Sequence, residues 1–175
     1  GTLLAAELIK YDTSIRLVSR NPKRVNKNDE LVVASLLNKD QALNAIEGAF
    51  VAYLTIGLPY SISVWKKDWP VVMENVIAAC IHHKCKLVFF DNVYMYARES
   101  TPHMTENTTV HPETKKGIVR AQLVRMIEEA QQKNGLEALI ARSADFYGPG
   151  SKNSILKIGV IDNFKKGKKA FWMGN

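Results

Sequence analysis

The sequence predicts an α/β fold built on a doubly wound parallel sheet. Three observations carry that expectation. Apolar runs of strand length alternate with amphipathic stretches of helical length. The alternation repeats at roughly twenty to thirty residues per unit, the rhythm that parallel strands joined by helical crossovers require. The run Leu87-Val88-Phe89-Phe90 is apolar without alternation, as in a strand covered on both faces.

The elements follow in order. Residues 2–11 carry Leu3, Leu4, Ala6, Leu8 and Ile9 in a helical pattern, and residues 14–19 read as a short strand through Ile15, Leu17 and Val18. Residues 30–34 read as a second strand and 39–46 as a short helix. Residues 49–55 form a buried strand closed by Gly57 and Pro59, with Pro59 and Tyr60 opening a loop. Val72, Met73, Val76, Ile77 and Cys80 recur at helical spacing over 69–82, and the strand 86–90 follows. Ile118, Ala121, Leu123, Met126 and Ile127 make one apolar side of a helix over 115–132, and a last strand spans 136–142.

With 175 residues, 46% of them apolar, the chain can bury a core, and its length suggests one domain over 1–175. No apolar run approaches a membrane span, and residues 1–10 lack the pattern of a signal peptide. Cys80 and Cys85 are too few for a disulfide framework and read as reduced packing residues, which points to the cytoplasm. The net charge of +7 sits in clusters, the largest at Lys165, Lys166, Lys168 and Lys169. No recognition-helix or zinc pattern accompanies it, so a nucleic-acid partner is disfavoured and solvated surface or a phosphorylated small ligand is preferred. Cys80, His82, His83 and Cys85 lie across one helix end and cannot all converge on a tetrahedral ion, so no metal is expected.

A nucleotide-binding sheet of this kind opens with a strand, a glycine-rich turn and a helix that receives a pyrophosphate. This sequence begins at Gly1 and passes directly into what reads as that helix. Gly1 is then the last glycine of the turn, with the first strand missing, or else an ordinary residue before an ordinary helix. The segment Phe171-Trp-Met-Gly-Asn175 ends without a closing element, so a C-terminal substrate domain is expected to be mostly absent.

Four segments in order resemble the extended or atypical short-chain dehydrogenase/reductases, the NAD-dependent epimerase/dehydratase branch. Ile15-Arg-Leu-Val-Ser-Arg-Asn-Pro22 is similar to that family's second strand and adenosine-ribose loop. Gly48-Ala-Phe-Val-Ala-Tyr-Leu-Thr-Ile-Gly57 resembles its fourth strand and the turn beside the cofactor. Residues 69–90 resemble the asparagine-bearing helix, with Asn75, and the fifth strand. Arg142-Ser-Ala-Asp-Phe-Tyr-Gly-Pro-Gly150 resembles the segment bordering the substrate site. The resemblance implies a Rossmann-type sheet and cofactor contacts from Gly1, Ser19, Arg20, Thr55, Ile56, Gly57 and Asn75. An acidic residue after the second strand would suit the ribose of NAD, whereas an arginine accommodates the phosphate of NADP. Arg20, with Lys23 and Arg24 close behind, therefore favours NADP over NAD.

The family's acid/base chemistry uses a Ser or Thr, a Tyr, and a Lys four residues after that Tyr. Here Asp91 and Asn92 stand where the resemblance expects serines, and no tyrosine occupies the motif. Lys115 or Lys116 takes the tyrosine's place, and Val119 or Arg120 the lysine's. Asn92 and Lys116 are the candidate catalytic residues, Asn92 as a hydrogen-bonding group and Lys116 as an acid/base with a lowered pKa. Tyr94 and Tyr96 are substitute proton donors or packing residues. Asp145 falls where relatives contact substrate, and a turn cap is the competing role.

Two function classes follow. One is an NAD(P)-dependent oxidoreductase or epimerase/dehydratase acting on a nucleotide sugar or another small carbonyl or hydroxyl substrate, with a homodimer as one assembly open to it. The other is a non-catalytic NADP-binding sensor or interaction module, which the lost tyrosine permits. Fold analogy alone does not choose the substrate.

Overall fold

The computed structural model of the chain describes residues 1–11, 13–148, 151 and 154–171. Residues Gly1–Ala141 form one compact unit and Arg142–Asn175 a second. The elements run α1 (Thr2–Leu8), β1 (Arg16–Ser19), β2 (Glu30–Val33), α2 (Lys39–Ile46), β3 (Val51–Leu54) and α3 (Ile62–His83). They continue as β4 (Lys86–Asp91), α4 (Lys115–Asn134), β5 (Ala138–Arg142) and α5 (Asp162–Lys165). Pro149 and Gly150 of the expected Tyr-Gly-Pro-Gly segment, and Trp172 to Asn175 of the expected open end, lie outside the described residues.

The expected strands are present within a few residues, and those with a defined register pair in parallel. β1 pairs with β2 from Arg16↔Glu30 to Ser19↔Val33. β3 pairs with β4 from Val51↔Lys86 to Leu54↔Phe89, and β5 lies on the other side of β4. The strands form two sheets, β1-β2 and β3-β4-β5, rather than the single layer expected. The reason is a gap: the edge of β1 away from β2 and the edge of β3 away from β4 both border one cavity of about 1090 Å³.

The core lies in the second half of this unit. Leu87 and Phe89 point from β4 into a cluster with Trp69, Val72, Met73, Val76 and Cys80 of α3 and Val119, Leu123 and Ile127 of α4. Both long helices therefore cover one face of the sheet. On the other face Tyr53, Phe90 and Leu139 are exposed, and the parallel α/β architecture is the one the sequence predicts. Cys80 and Cys85 are free and buried. Burial pushes the Cys80 thiol up to about 12, with Cys85 beside it adding to the rise.

Local chemistry sets the helix ends. The Asn38 side chain accepts from Gln41 N–H at 2.9 Å and starts α2 at the expected residue. Thr114 accepts from Gly117 N–H at 2.9 Å and starts α4, which Gly135 closes with a left-handed φ of 68°. Helix α3 departs from expectation: it begins at Ile62, two turns early, and runs through Pro70. That extension turns Trp65 from a loop residue into a buried one beside Trp69.

In the second unit, a wide π-type turn at Lys157–Ile161 leads into α5. Lys157 Nζ pairs with Asp162 at 2.6 Å, and Phe171 N–H donates to Gly159 O at 2.7 Å. A side chain at position 159 would collide with the Phe171 carbonyl. Among the described residues, no helix is long and apolar enough to cross a membrane.

Candidate functional site

The cavity between β1 and β3 collects several of the residues expected to hold a dinucleotide. Gly1, Ser19, Thr55 and Ile56 all line it, together with Lys23. Gly1 lies against the end of β3, where an added Cβ would stand 3.1 Å from Thr55 Oγ1. Glycine at this position lets the start of α1 approach the strand end. Gly57 follows in the same segment, with no protein atom among the described residues near where its Cβ would stand.

The basic loop after β1 divides its cations. Arg24 Nη1 donates to the carbonyls of Lys27 and Asp29, both at 2.8 Å, and so braces the loop from within. The buried Asp29 carboxylate accepts from the N–H groups of Val25 and Asn26 and from the Asn26 amide. Arg20 and Lys23 remain exposed. Ser19 Oγ accepts from Asn21 N–H at 3.2 Å and shapes the turn between them. Asn75 is buried in α3 and donates from Nδ2 to Leu36 O at 2.9 Å, tying that helix to the segment after β2. Ser19, Thr55 and Lys23 give the cavity two hydroxyls and an exposed cation, groups that suit a phosphorylated dinucleotide, whereas the expected contacts Arg20, Gly57 and Asn75 are not among the residues that line it.

A second group surrounds the end of β4. Asp91 and Arg120 form an ion pair with both side chains almost wholly buried. Arg120 Nε donates to Asp91 Oδ1 at 2.6 Å, and its guanidinium carbon lies 4.5 Å from the Trp69 ring centroid and 4.8 Å from that of Phe89. Burial pulls the Arg120 pKa down and Asp91 opposes that shift. The pair is a costly arrangement that close contact and the flanking aromatic faces offset. Asp91 thus stands where serines were expected and holds the residue in the lysine's place.

Asn92 follows directly. Its Oδ1 accepts from Tyr94 N–H at 3.0 Å, so the side chain builds the turn after β4 and leaves Nδ2 as its donor. Lys116, half-buried at the start of α4, holds Nζ 2.8 Å from the Tyr60 ring centroid and 5.5 Å from that of Trp65. The close approach of α4 depends on Gly117, whose added Cβ would strike the Tyr94 carbonyl. Helix α4 therefore brings Lys116 and Arg120 to the turn that Asn92 shapes.

The remaining expected residue, Asp145, is exposed in the second unit. Sequence reasoning passed over Tyr60, Trp65 and the Asp91–Arg120 pairing. One signal was present: Arg120 stands among the buried positions Gly117, Val119, Ala121 and Leu123, where an arginine needs a partner. The Cys/His group is not arranged around an ion. His83 Nε2 lies 3.1 Å from Leu43 O, and among the described residues no cluster of His, Cys, Asp and Glu could hold a metal.

Comparison with solved structures places the fold. A UDP-galactose 4-epimerase superposes with a TM-score of 0.83 at 18% identity, covering 97% of this chain and 61% of the other. The Bordetella bronchiseptica enzyme WbmG, solved with NAD and UDP, matches with a TM-score of 0.78 at 17% identity, covering 98% and 57%. The UDP-glucose 4-epimerase of Thermus thermophilus, in complex with NAD, matches with a TM-score of 0.75 at 16% identity, covering 97% and 60%. The chain thus spans about 60% of the length of these proteins. No curated protein matches the sequence. The model of the NAD dependent epimerase/dehydratase family matches residues 1–175, and the chain belongs to that family.

Proposed function

We propose that this chain is the dinucleotide-binding part of an NAD(P)-dependent epimerase/dehydratase-type oxidoreductase, acting on a nucleotide sugar or another small carbonyl or hydroxyl compound. The observation that carries this reading is the convergence of Gly1, Ser19, Lys23, Thr55 and Ile56 on one cavity, in a chain matched throughout by the family. A nicotinamide dinucleotide at that edge supplies a hydride acceptor or donor. The residues of the chain bind it, orient the substrate oxygen and move the proton. In this reading Asn92 Nδ2 holds a substrate oxygen and Lys116 provides positive charge beside it; Asp145, in the second unit, is a separate candidate for a substrate contact. The UDP of WbmG and the UDP-sugars of the two epimerases support a nucleotide sugar as the substrate class.

The choice between the two dinucleotides rests on Arg20 and Lys23, since Arg24 is committed to loop carbonyls. NADP is the preferred ligand on that ground, although the solved relatives named above with a dinucleotide carry NAD. Fluorescence titration with reduced NADP and reduced NAD tests both levels. Tighter NADP binding that Arg20→Ala abolishes supports the preference, equal affinities remove it, and no affinity for either removes the function.

A second reading has its own observation in its favour. The buried Asp91–Arg120 pair occupies places where the family's chemistry keeps a hydroxyl and a lysine, which suits a non-catalytic dinucleotide-binding sensor. Turnover left unchanged by both Asn92→Ala and Lys116→Ala would remove the catalytic site proposed above.

A further inference from the structure

The missing motif tyrosine leaves the site without its usual proton carrier, and a different phenol packs on the indole that the same two cations flank. Three groups converge on the Trp65 indole. Tyr94 stacks against it with ring centroids 6.3 Å apart and planes 19° from parallel. Lys116 Nζ lies 5.5 Å and the Arg120 guanidinium carbon 5.7 Å from the same centroid. The backbone of Tyr94 is held on both sides, its N–H by Asn92 and its carbonyl by the close approach of Gly117. A phenol at the end of β4 thus shares one indole with two cations from α4, and such a group is a candidate for proton exchange with a substrate hydroxyl.

We propose that Tyr94 is the proton-transfer residue of this site, with Lys116 and Arg120 stabilising its phenolate. The role rests on the oxidoreductase reading above. In the oxidising direction the substrate O–H bond breaks and its proton passes to the Tyr94 oxygen. The adjacent C–H electron pair leaves with its hydrogen as hydride to the oxidised dinucleotide, and a carbonyl forms. The reverse direction returns both.

The charges around the phenol set the sign of the effect. Asp91 is the anion at this end of β4 and is in contact with Arg120, so it cancels most of the charge that Arg120 presents. Tyr94 and Arg120 nonetheless interact, the phenolate favouring the guanidinium. Among the described residues, Lys116 is paired only with the neutral faces of Tyr60 and Trp65. Lys116 is therefore the less neutralised of the two cations that share the Trp65 indole with Tyr94, and Tyr60 orders it in place.

The test reads the phenol directly. Ultraviolet titration of the wild-type chain minus Tyr94→Phe isolates the ionisation of Tyr94. The expected result is ionisation below the ordinary phenol value of about 10, moved back upward by Lys116→Met. Ionisation at or above the ordinary value, or indifference to Lys116→Met, overturns the proposal. Tyr94→Phe removes only one hydroxyl, and a thermal melt of each variant verifies that the fold is kept. In the dinucleotide-linked reaction, Tyr94→Phe is expected to lose about a hundredfold or more in kcat. Dinucleotide titration of the same proteins separates the two readings. Normal affinity with an ordinary Tyr94 sinks the proton role alone, whereas no affinity sinks the parent function and this role with it.

Discussion

β1 and β2 pair with the same parallel geometry as β3 and β4, yet the two pairs meet different surroundings. In β4, Leu87 and Phe89 are wholly buried between α3 and α4. In the other pair Leu17 and Val18 are half-exposed, while Leu31 and Val33 are 38% and 74% exposed. The difference is not one of strand propensity, since both pairs are rich in β-branched and aliphatic residues. It comes from what lies alongside: two long helices in one case, a cavity and the seven-residue α1 in the other. Parallel pairing therefore fixes the register of a strand without providing its burial, and burial decides how much each side chain stabilises.

The sharpest break of this comparison is a matched truncation. Phe89→Ala should cost about 4 kcal/mol, because it empties a wholly buried site packed on Trp69 and Arg120. Leu17→Ala should cost less than about 1.5 kcal/mol, because its side chain already meets the cavity. Denaturant unfolding of the two variants measures both, and equal costs would show that the two halves are packed alike.

Closing the cavity should narrow the contrast. An apolar segment of five or six residues, joined to Gly1 through a glycine-containing turn, has two free parallel edges to pair with. It is expected to add about 3 kcal/mol, on the order of 10 °C in Tm for a domain of this size. Leu17→Ala should then cost more than before. A segment that leaves Tm and the Leu17→Ala cost unchanged would show that the gap does not accept a strand.

The same contrast explains what could be read from the residues alone. The helix 39–46 was legible to the residue because Asn38 is a strong cap. The strands were legible because their apolar runs are short and punctuated by glycine, proline and polar residues. The start of α3 was not, because Pro59 and Tyr60 read as the opening of a loop, whereas tertiary packing of Trp65 and Trp69 carries the helix back to Ile62. The cavity residues were legible as types at a strand end, and four of them do share one lining. The Asp91–Arg120 pair was not. Its partners are 29 positions apart, and only the crossover from β4 to α4 makes them neighbours. Separate sequence patterns name candidate groups; the connection between elements decides which of them touch.

Alkaline pH sharpens the comparison further, because the buried half contains a group that resists ionisation. The Cys80 thiol titrates at about 12 when folded, against 9.0 for the free group. The folded state then holds a proton that the unfolded chain releases. Its contribution is fully present below about pH 9, and it is lost as pH rises from there toward 12. By pH 10.5 the loss attributable to this thiol should reach about 2 kcal/mol. Unfolding measured at several pH values should show a steeper decline for the wild type than for Cys80→Ala, and equal slopes would refute the assignment.

The smallest effect concerns the end of α4 that carries Lys116. Thr114→Ala removes the oxygen that accepts from Gly117 N–H, and loss of such a cap costs about 1 kcal/mol. The consequence should reach beyond stability. Gly117 is the residue that lets α4 touch the Tyr94 carbonyl, so an unravelled first turn loosens that contact and the position of Lys116 over Tyr60. Thr114→Ser retains the acceptor and should behave as wild type. If Thr114→Ala lowers stability by the expected amount, fluorescence of Trp65 should also change, since Lys116 lies over its ring. An altered melt with unchanged Trp65 emission would mean that the packed half holds Lys116 without help from the helix cap. Burial against α3 and β4 alone would then be enough to order the site.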